Sequence, residues 1–277
     1  MGHLAALDGD RISFILSAGR TGTTFLASIC PALTPNRQYL QEPPWSRSIF
    51  MLSNAASCGW VSPRWAERLF VHDRARRLTA NGTSSEIVEI NPFLTPLAPR
   101  LPDLVHSARI VHMVRDPRSW VPSMANFKAW GWRRAIIDWV PFAQTVHPAA
   151  RSYWRRLDTI RRYAWRWRLA NEQIEACCDR CRHYVMVRYE DLFSNDRATR
   201  SQALKSILIT LRAEDQIDDS GIPWDTAANP SIQRELDAWE SWSAEAKREV
   251  ADIVAPQMHR YGYDIEAAPQ RLRRSAP

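Results

Sequence analysis

No apolar run in this 277-residue chain reaches the roughly 18 residues that a membrane-crossing helix needs, which argues against a bilayer span. The opening MGHLAALDGDR carries acidic residues and no basic head before a long apolar stretch, so it does not read as a secretory leader. Ala6 also stands where a myristoylation pattern needs Ser or Thr. Cysteine is scarce and odd in number, five in all, which fits reduced thiols in a cytoplasmic protein better than a disulfide framework. In that setting the sequon Asn81-Gly82-Thr83 reads as a turn. Internal repeats and low-complexity tracts are missing too.

What is present is an ordinary globular mixture, 45% hydrophobic and 24% charged. The length suits one large domain over 1–277, with polar ends at about 1–10 and 266–277 expected to be loose. Lys and Arg number 37 against 30 Asp and Glu, a formal charge of +7 that favours polyanionic partners. Most of these cations are Arg, whose planar fork matches phosphate.

Short apolar runs predict five strands: Ile12–Leu16, Gln38–Leu40, Glu86–Ile90, Arg109–Val114 and Tyr184–Val187. Helical patterns fit between several of them. The expected fold is therefore α/β: three layers, with a central, mainly parallel five-stranded sheet covered on both faces. The longest helical pattern runs from about Pro148 to Cys181, with Trp154, Leu157, Ala164, Trp167, Ile174 and Cys178 on its apolar face. Its arginines, from Arg155 to Arg168, predict a solvated basic face or, more sharply, a wall against an anionic substrate. In parallel sheets ligands collect at the carboxyl ends of the strands, so the residues just past each strand carry the functional expectation.

The first strand runs into Ser17-Ala18-Gly19-Arg20-Thr21-Gly22-Thr23-Thr24 and then a helix. A strand, a glycine-bearing turn with hydroxyls and a helix start make a cradle for phosphate. It is not a Walker A loop, which places Lys where Gly22 stands, and no Walker-B Asp ends a later strand. The fourth strand delivers Arg115-Asp116-Pro117, with Asp116 a good cap and Pro117 a good first helical residue. Ser123 follows Arg115 by eight positions, and Arg with a hydroxyl suits a second phosphate. The fifth strand ends in Arg188-Tyr189-Glu190-Asp191-Leu192, where Tyr189 could meet a nucleobase.

GRTGTT, VRDPRSWVPS and VRYEDL, in that order and each after a strand, resemble the sulfotransferases that use 3′-phosphoadenosine-5′-phosphosulfate (PAPS). The similarity runs from about Arg11 to Leu192, is nearest the carbohydrate and bacterial branch, and includes the closing Tyr261-Gly262-Tyr263. The resemblance implies that Gly19, Arg20, Thr21, Gly22, Thr23 and Thr24 hold the phosphosulfate. It implies that Arg115 and Ser123 hold the 3′-phosphate, with the Tyr189-Glu190-Asp191 segment near the adenine and Arg188 among the cofactor-binding residues. Pro122 removes a helix hydrogen bond beside Ser123, so Ser123 is expected to be displaced and Ser119 to share its role. Arg20 stands where many members of the family have Lys.

The resemblance further implies sulfuryl transfer by in-line displacement to an acceptor hydroxyl, with no metal expected, because the sulfuryl group carries less charge than a phosphoryl group. An acceptor hydroxyl needs a base. Glu42, just past the second strand and stiffened by Pro43 and Pro44, is the first candidate, and its Glu-Pro segment is similar to that of carbohydrate sulfotransferases. Glu89 is the reserve. His106 and His112 are weaker, the latter expected to be buried and hydrogen-bonded. Cys177, Cys178, Cys181 and His183 invite zinc, but their compressed spacing reads as plain thiols. The acceptor is expected to be a carbohydrate, glycolipid or small metabolite, not nucleic acid. A helical region at about 120–180, including Trp130, Trp132 and Trp139, is expected to cover the sheet edge. The competing readings are a small-molecule kinase on a related sheet and a non-catalytic binder of nucleic acid or anionic polymer.

Overall fold

The structure is a computed structural model of the chain, and it describes residues 7–80, 86–127, 146–212, 221–224, 236–267 and 269. Five strands form the central sheet: β2 (Ile12–Ser17), β3 (Arg37–Gln41), β4 (Glu86–Ile90), β6 (Arg109–Val114) and β7 (His183–Arg188). They pair in the order β3-β4-β2-β6-β7, every pair parallel. All five predicted strands are present, each within a residue or two of its expected bounds. The central strands β2 and β6, covered on both faces, read as near-continuous apolar runs. All six residues of β2 and all six of β6 are buried.

The pleat sends alternate residues to opposite faces. On one face Ile15, Val88, Ile90, Val111 and Met113 pack under α1 (Thr23–Leu33) and a later helix at Arg197–Thr210. On the other, Phe14, Leu16, Ile87 and Ile110 meet residues of α2 (Ser46–Ser57), α3 (Arg64–Ala80) and the 3₁₀ segment Pro92–Arg100. Beyond the carboxyl end of β6, α5 (Pro117–Ala125) packs with α6 (Thr159–Glu175) and α9 (Ala244–Arg260) around Trp120 and Trp167. Three short pieces complete the numbering: α4 (Leu101–Leu104), α7 (Tyr189–Leu192) and α8, the Arg197–Thr210 helix.

Three expectations change. The stretch expected to be loose up to residue 10 contains β1 (Leu7–Asp8), paired in parallel with β5 (Val105–His106). Near the other end, Arg118 reaches the carbonyls of Ile265 and Ala267 and ties down the start of the tail. The single helix expected from 148 to 181 is broken into 3₁₀ turns at Pro148–Ala150 and Trp154–Arg156, then α6, then a 3₁₀ turn at Cys178–Arg180. Asp158 causes the break: its carboxylate accepts from the Arg161 amide at 2.8 Å and starts a new helix. A cap is a local hydrogen bond, invisible to hydropathy periodicity. The basic face of α6 is largely engaged internally: Arg161 pairs with Asp158 and Glu249, Arg168 with Glu172, and Arg166 lies over the Tyr163 ring. Trp130, Trp132, Trp139 and the sequon at Asn81 lie outside the described residues.

His112, mid-strand in β6, is fully buried between the Tyr184 hydroxyl at 2.6 Å and Asn171 Oδ1 at 2.9 Å. Asn171 spends its Nδ2 on the Trp167 carbonyl, so its Oδ1 must accept from Nε2–H, and Nδ1 accepts from Tyr184. Burial drives the imidazole down to about 4, against the opposing pull of the Asn171 hydrogen bond. The folded state thus refuses a proton that the unfolded chain takes up below about 6.5. Stability should therefore fall as pH drops through 6.5 towards 4, by up to about 1.4 kcal/mol per pH unit from this group. Chemical denaturation of wild type and His112→Gln between pH 7 and 4.5 checks it: the wild-type slope should exceed that of the variant.

Candidate functional site

The cradle starts where β2 ends. Ser17 Oγ accepts from the Gly19 amide at 3.0 Å, and the chain then turns through left-handed conformations at Gly19, Arg20 and Gly22 before α1 begins at Thr23. Gly22 is required twice. Its φ is 82°, and a Cβ there would come within 2.7 Å of the Phe193 ring and 3.4 Å of the Tyr189 ring. As N-cap of α1 it provides no side-chain cap, so the first amides of the helix and the positive end of its dipole are left for another acceptor. Thr21 Oγ1, one residue earlier, is buried with no hydrogen-bond partner among the described residues. A cradle closed by aromatic rings and holding an orphaned hydroxyl fits a phosphate-like group.

Arg115 sits at the rim of β6 as anticipated. Asp116 caps α5 by accepting from the Arg118 amide at 2.8 Å, and its carboxylate also grips the Arg118 guanidinium. The Arg115 carbonyl accepts from Trp167 Nε1 at 2.9 Å. Its side chain donates to Ser119 Oγ at 3.0 Å, to Ser123 Oγ at 3.4 Å and to the Arg20 carbonyl at 2.9 Å, while the Tyr189 ring lies 4.4 Å from the guanidinium carbon. Arg20 Nε reaches the same Ser123 hydroxyl at 3.4 Å, and its guanidinium stacks on Phe127. Arg20, Arg115, Ser119, Ser123, Tyr189 and the Gly22 turn are thus one cluster. Pro122 does not displace Ser123, because α5 continues through it to Ala125. Desolvation, then the neighbouring Arg115 charge, lowers the Arg20 pKa from its ordinary value. Two guanidiniums packed this closely favour a bound anion.

Arg188, expected among the cofactor-binding residues, is engaged within the protein. It forms a two-pronged pair with Asp191, both contacts 2.8 Å, and donates to the Gly262 carbonyl at 3.3 Å. Glu190, 3% exposed, accepts from the Asp116 amide at 3.1 Å and from the Tyr263 hydroxyl at 2.6 Å. Burial pushes the Glu190 carboxyl up. The closing Tyr-Gly-Tyr therefore clasps the Arg188–Asp191 segment to the start of α5. Two indoles were missed as site supports: Trp120 donates to the Gly19 carbonyl at 2.6 Å, and Trp167 holds Arg115. Trp120 lies inside the VRDPRSWVPS motif and was there to be found. Trp167, 52 residues from Arg115, had no local signal.

Glu42 follows β3 at the same sheet edge. Its amide donates to the Ile90 carbonyl at 3.1 Å, and the preceding Gln41 reaches Thr24 of α1 at 3.3 Å. Its carboxylate is exposed at the surface, yet partial desolvation holds it above the ordinary carboxylate value despite the opposing charge of Arg47. Its φ of 44° is a left-handed strain for a non-glycine residue, shared on this edge by Arg20 and Trp45. Glu89 is placed differently. It has no exposure, and its oxygens bind Arg74 Nε at 2.9 Å, Arg74 Nη2 at 2.5 Å and Asn91 Nδ2 at 2.7 Å. That geometry holds α3 to β4 and engages both Glu89 oxygens. His106 lies in β5, apart from this cluster. Cys177, Cys178 and Cys181 are free thiols, and among the described residues no group of three or more His, Cys, Asp or Glu is arranged to hold a metal ion.

No family model matches the chain, and no curated protein matches it in sequence. Solved structures are similar to it in fold. The sulfotransferase domain from the curacin biosynthetic pathway is 13% identical with a TM-score of 0.51, the match covering 95% of this chain and 99% of that one. The sulfotransferase domain from the Synechococcus PCC 7002 olefin synthase is 17% identical with a TM-score of 0.51, covering 95% and 98%. At these identities the likeness establishes the fold: the chain has a sulfotransferase-like α/β architecture along nearly its whole length.

Proposed function

We propose that this chain is a sulfotransferase that uses PAPS to sulfate a hydroxyl of a carbohydrate, glycolipid or small metabolite in the cytoplasm. The observation that supports it most is the convergence of the Gly19–Thr24 turn, Arg115, Ser119, Ser123 and Tyr189 on one cluster, where two anionic groups of one nucleotide could be held. PAPS would supply a sulfuryl group attached to a phosphate. The turn amides and the Thr21, Thr23 and Thr24 hydroxyls would hold that end, and Arg20 would face the charge that grows there. Arg115, Ser119 and Ser123 would hold the 3′-phosphate, with Tyr189 beside the nucleoside. Arg188 would act indirectly, by fixing the segment that carries Tyr189. Glu42 would take the proton of the acceptor hydroxyl.

Calorimetry with 3′,5′-adenosine bisphosphate against ATP–Mg²⁺ tests this reading. Removing charge-assisted bonds worth about 2–3 kcal/mol, Arg115→Ala should weaken bisphosphate binding by roughly 30- to 150-fold. Tight ATP–Mg²⁺ binding that ignores Arg115 would instead point to a kinase.

A further inference from the structure

Among the described residues the large apolar side chains left well exposed are Trp45, Met51, Trp60, Trp65, Tyr153 and Ile209. Four of them fall between residues 45 and 65, in a stretch, 43–66, that contains no acidic residue. Trp60, in the turn joining α2 to α3, and Trp65, in the first turn of α3, are 57% and 63% exposed. Arg64 and Arg68, one helical turn apart at the start of α3, are exposed beside them. Arg151, two residues before the exposed Tyr153, donates to the Ser57 carbonyl at the end of α2 at 3.2 Å. The one carboxylate near the start of α3, Glu67, is buried and paired with Arg100.

We propose that this turn is a docking surface for an anionic phospholipid bilayer. An indole has an apolar body and an N–H handle, which suits the boundary between acyl chains and headgroups. Flanking arginines are attracted by anionic headgroups. The charge selects the occupant: a second copy would bring one cationic tip against another, whereas an anionic membrane complements it. Single-stranded nucleic acid is bound in grooves, and this tip is the end of a helical hairpin.

Flotation of the full chain tests the proposal, using vesicles of phosphatidylcholine with roughly a third phosphatidylserine, and vesicles of phosphatidylcholine alone. Wild type should float with the anionic vesicles and far less with the neutral ones. Trp60→Ser/Trp65→Ser should partition at least about tenfold less. Arg64→Gln/Arg68→Gln should lose about fivefold per charge together with most of the salt sensitivity. Circular dichroism and thermal midpoints establish that both variants remain folded, and either variant alone suffices if the other does not. No flotation of wild type, flotation unchanged in the variants, Trp-dependent self-association without vesicles, or displacement by a single-stranded oligonucleotide would each overturn the idea.

Discussion

Glu42→Gln should lower kcat by about 10²- to 10⁴-fold, the usual contribution of a positioned general base, while 3′,5′-adenosine bisphosphate binds as before. The amide keeps the size of the side chain and loses only the ability to take a proton. The wild-type rate should also carry the signature of this carboxylate. A base works deprotonated, so kcat/KM should rise with pH through a value above the ordinary carboxylate pKa of 4.5, because partial desolvation outweighs the charge of Arg47. That acid limb should vanish in Glu42→Gln. Glu42→Gly separates chemistry from geometry: glycine tolerates the φ of 44°, so this variant should fold at least as well and be as inactive. Bisphosphate release in the presence of an accepted hydroxyl compound measures all three. Retention of wild-type kcat in Glu42→Gln would move the base elsewhere.

Glu89→Gln should act on stability instead, lowering it by about 3–5 kcal/mol, because the substitution leaves the fully buried Arg74 short of its main counter-charge. Asp73, 2.8 Å from Arg74 Nη1, offsets part of that loss but is itself shared with Arg77. Arg74→Leu/Glu89→Leu removes both charges and should be less destabilised than Glu89→Gln, since a buried ion pair costs most when only half of it is deleted. Denaturant midpoints of the three proteins make the comparison. The folded fraction of Glu89→Gln should keep its kcat, and a collapse of kcat in fully folded protein would restore Glu89 as a candidate base.

These two glutamates show where the limit of sequence reading lies. Both lie near the carboxyl edge of a strand, and although Pro43 and Pro44 set Glu42 apart, nothing local says that Glu89 is the one sealed in an ion pair. The Arg74 that neutralises Glu89 comes from a helix fifteen residues upstream, and its approach depends on how α3 packs against β4. Arg188 is a similar case: it is expected to bind the cofactor, yet the chain beside it offers Asp191 and the fold brings Gly262. By contrast, the cradle was legible because its parts are contiguous. Gly19, Gly22 and the hydroxyls follow β2 directly, and the backbone alone requires glycine at a φ of 82°.

The sequence by itself determined the five strands, the turn after β2, and the Arg115–Ser123 spacing, because each depends on residues within about two helical turns of one another. Only the tertiary structure decided that Arg115 reaches the Arg20 carbonyl 95 residues away, that two tryptophans pin the loops, and that one glutamate is exposed while the other is sealed in an ion pair. The physical reason is that hydropathy and turn chemistry act along the chain, whereas desolvation and charge pairing depend on which distant segments close over a group.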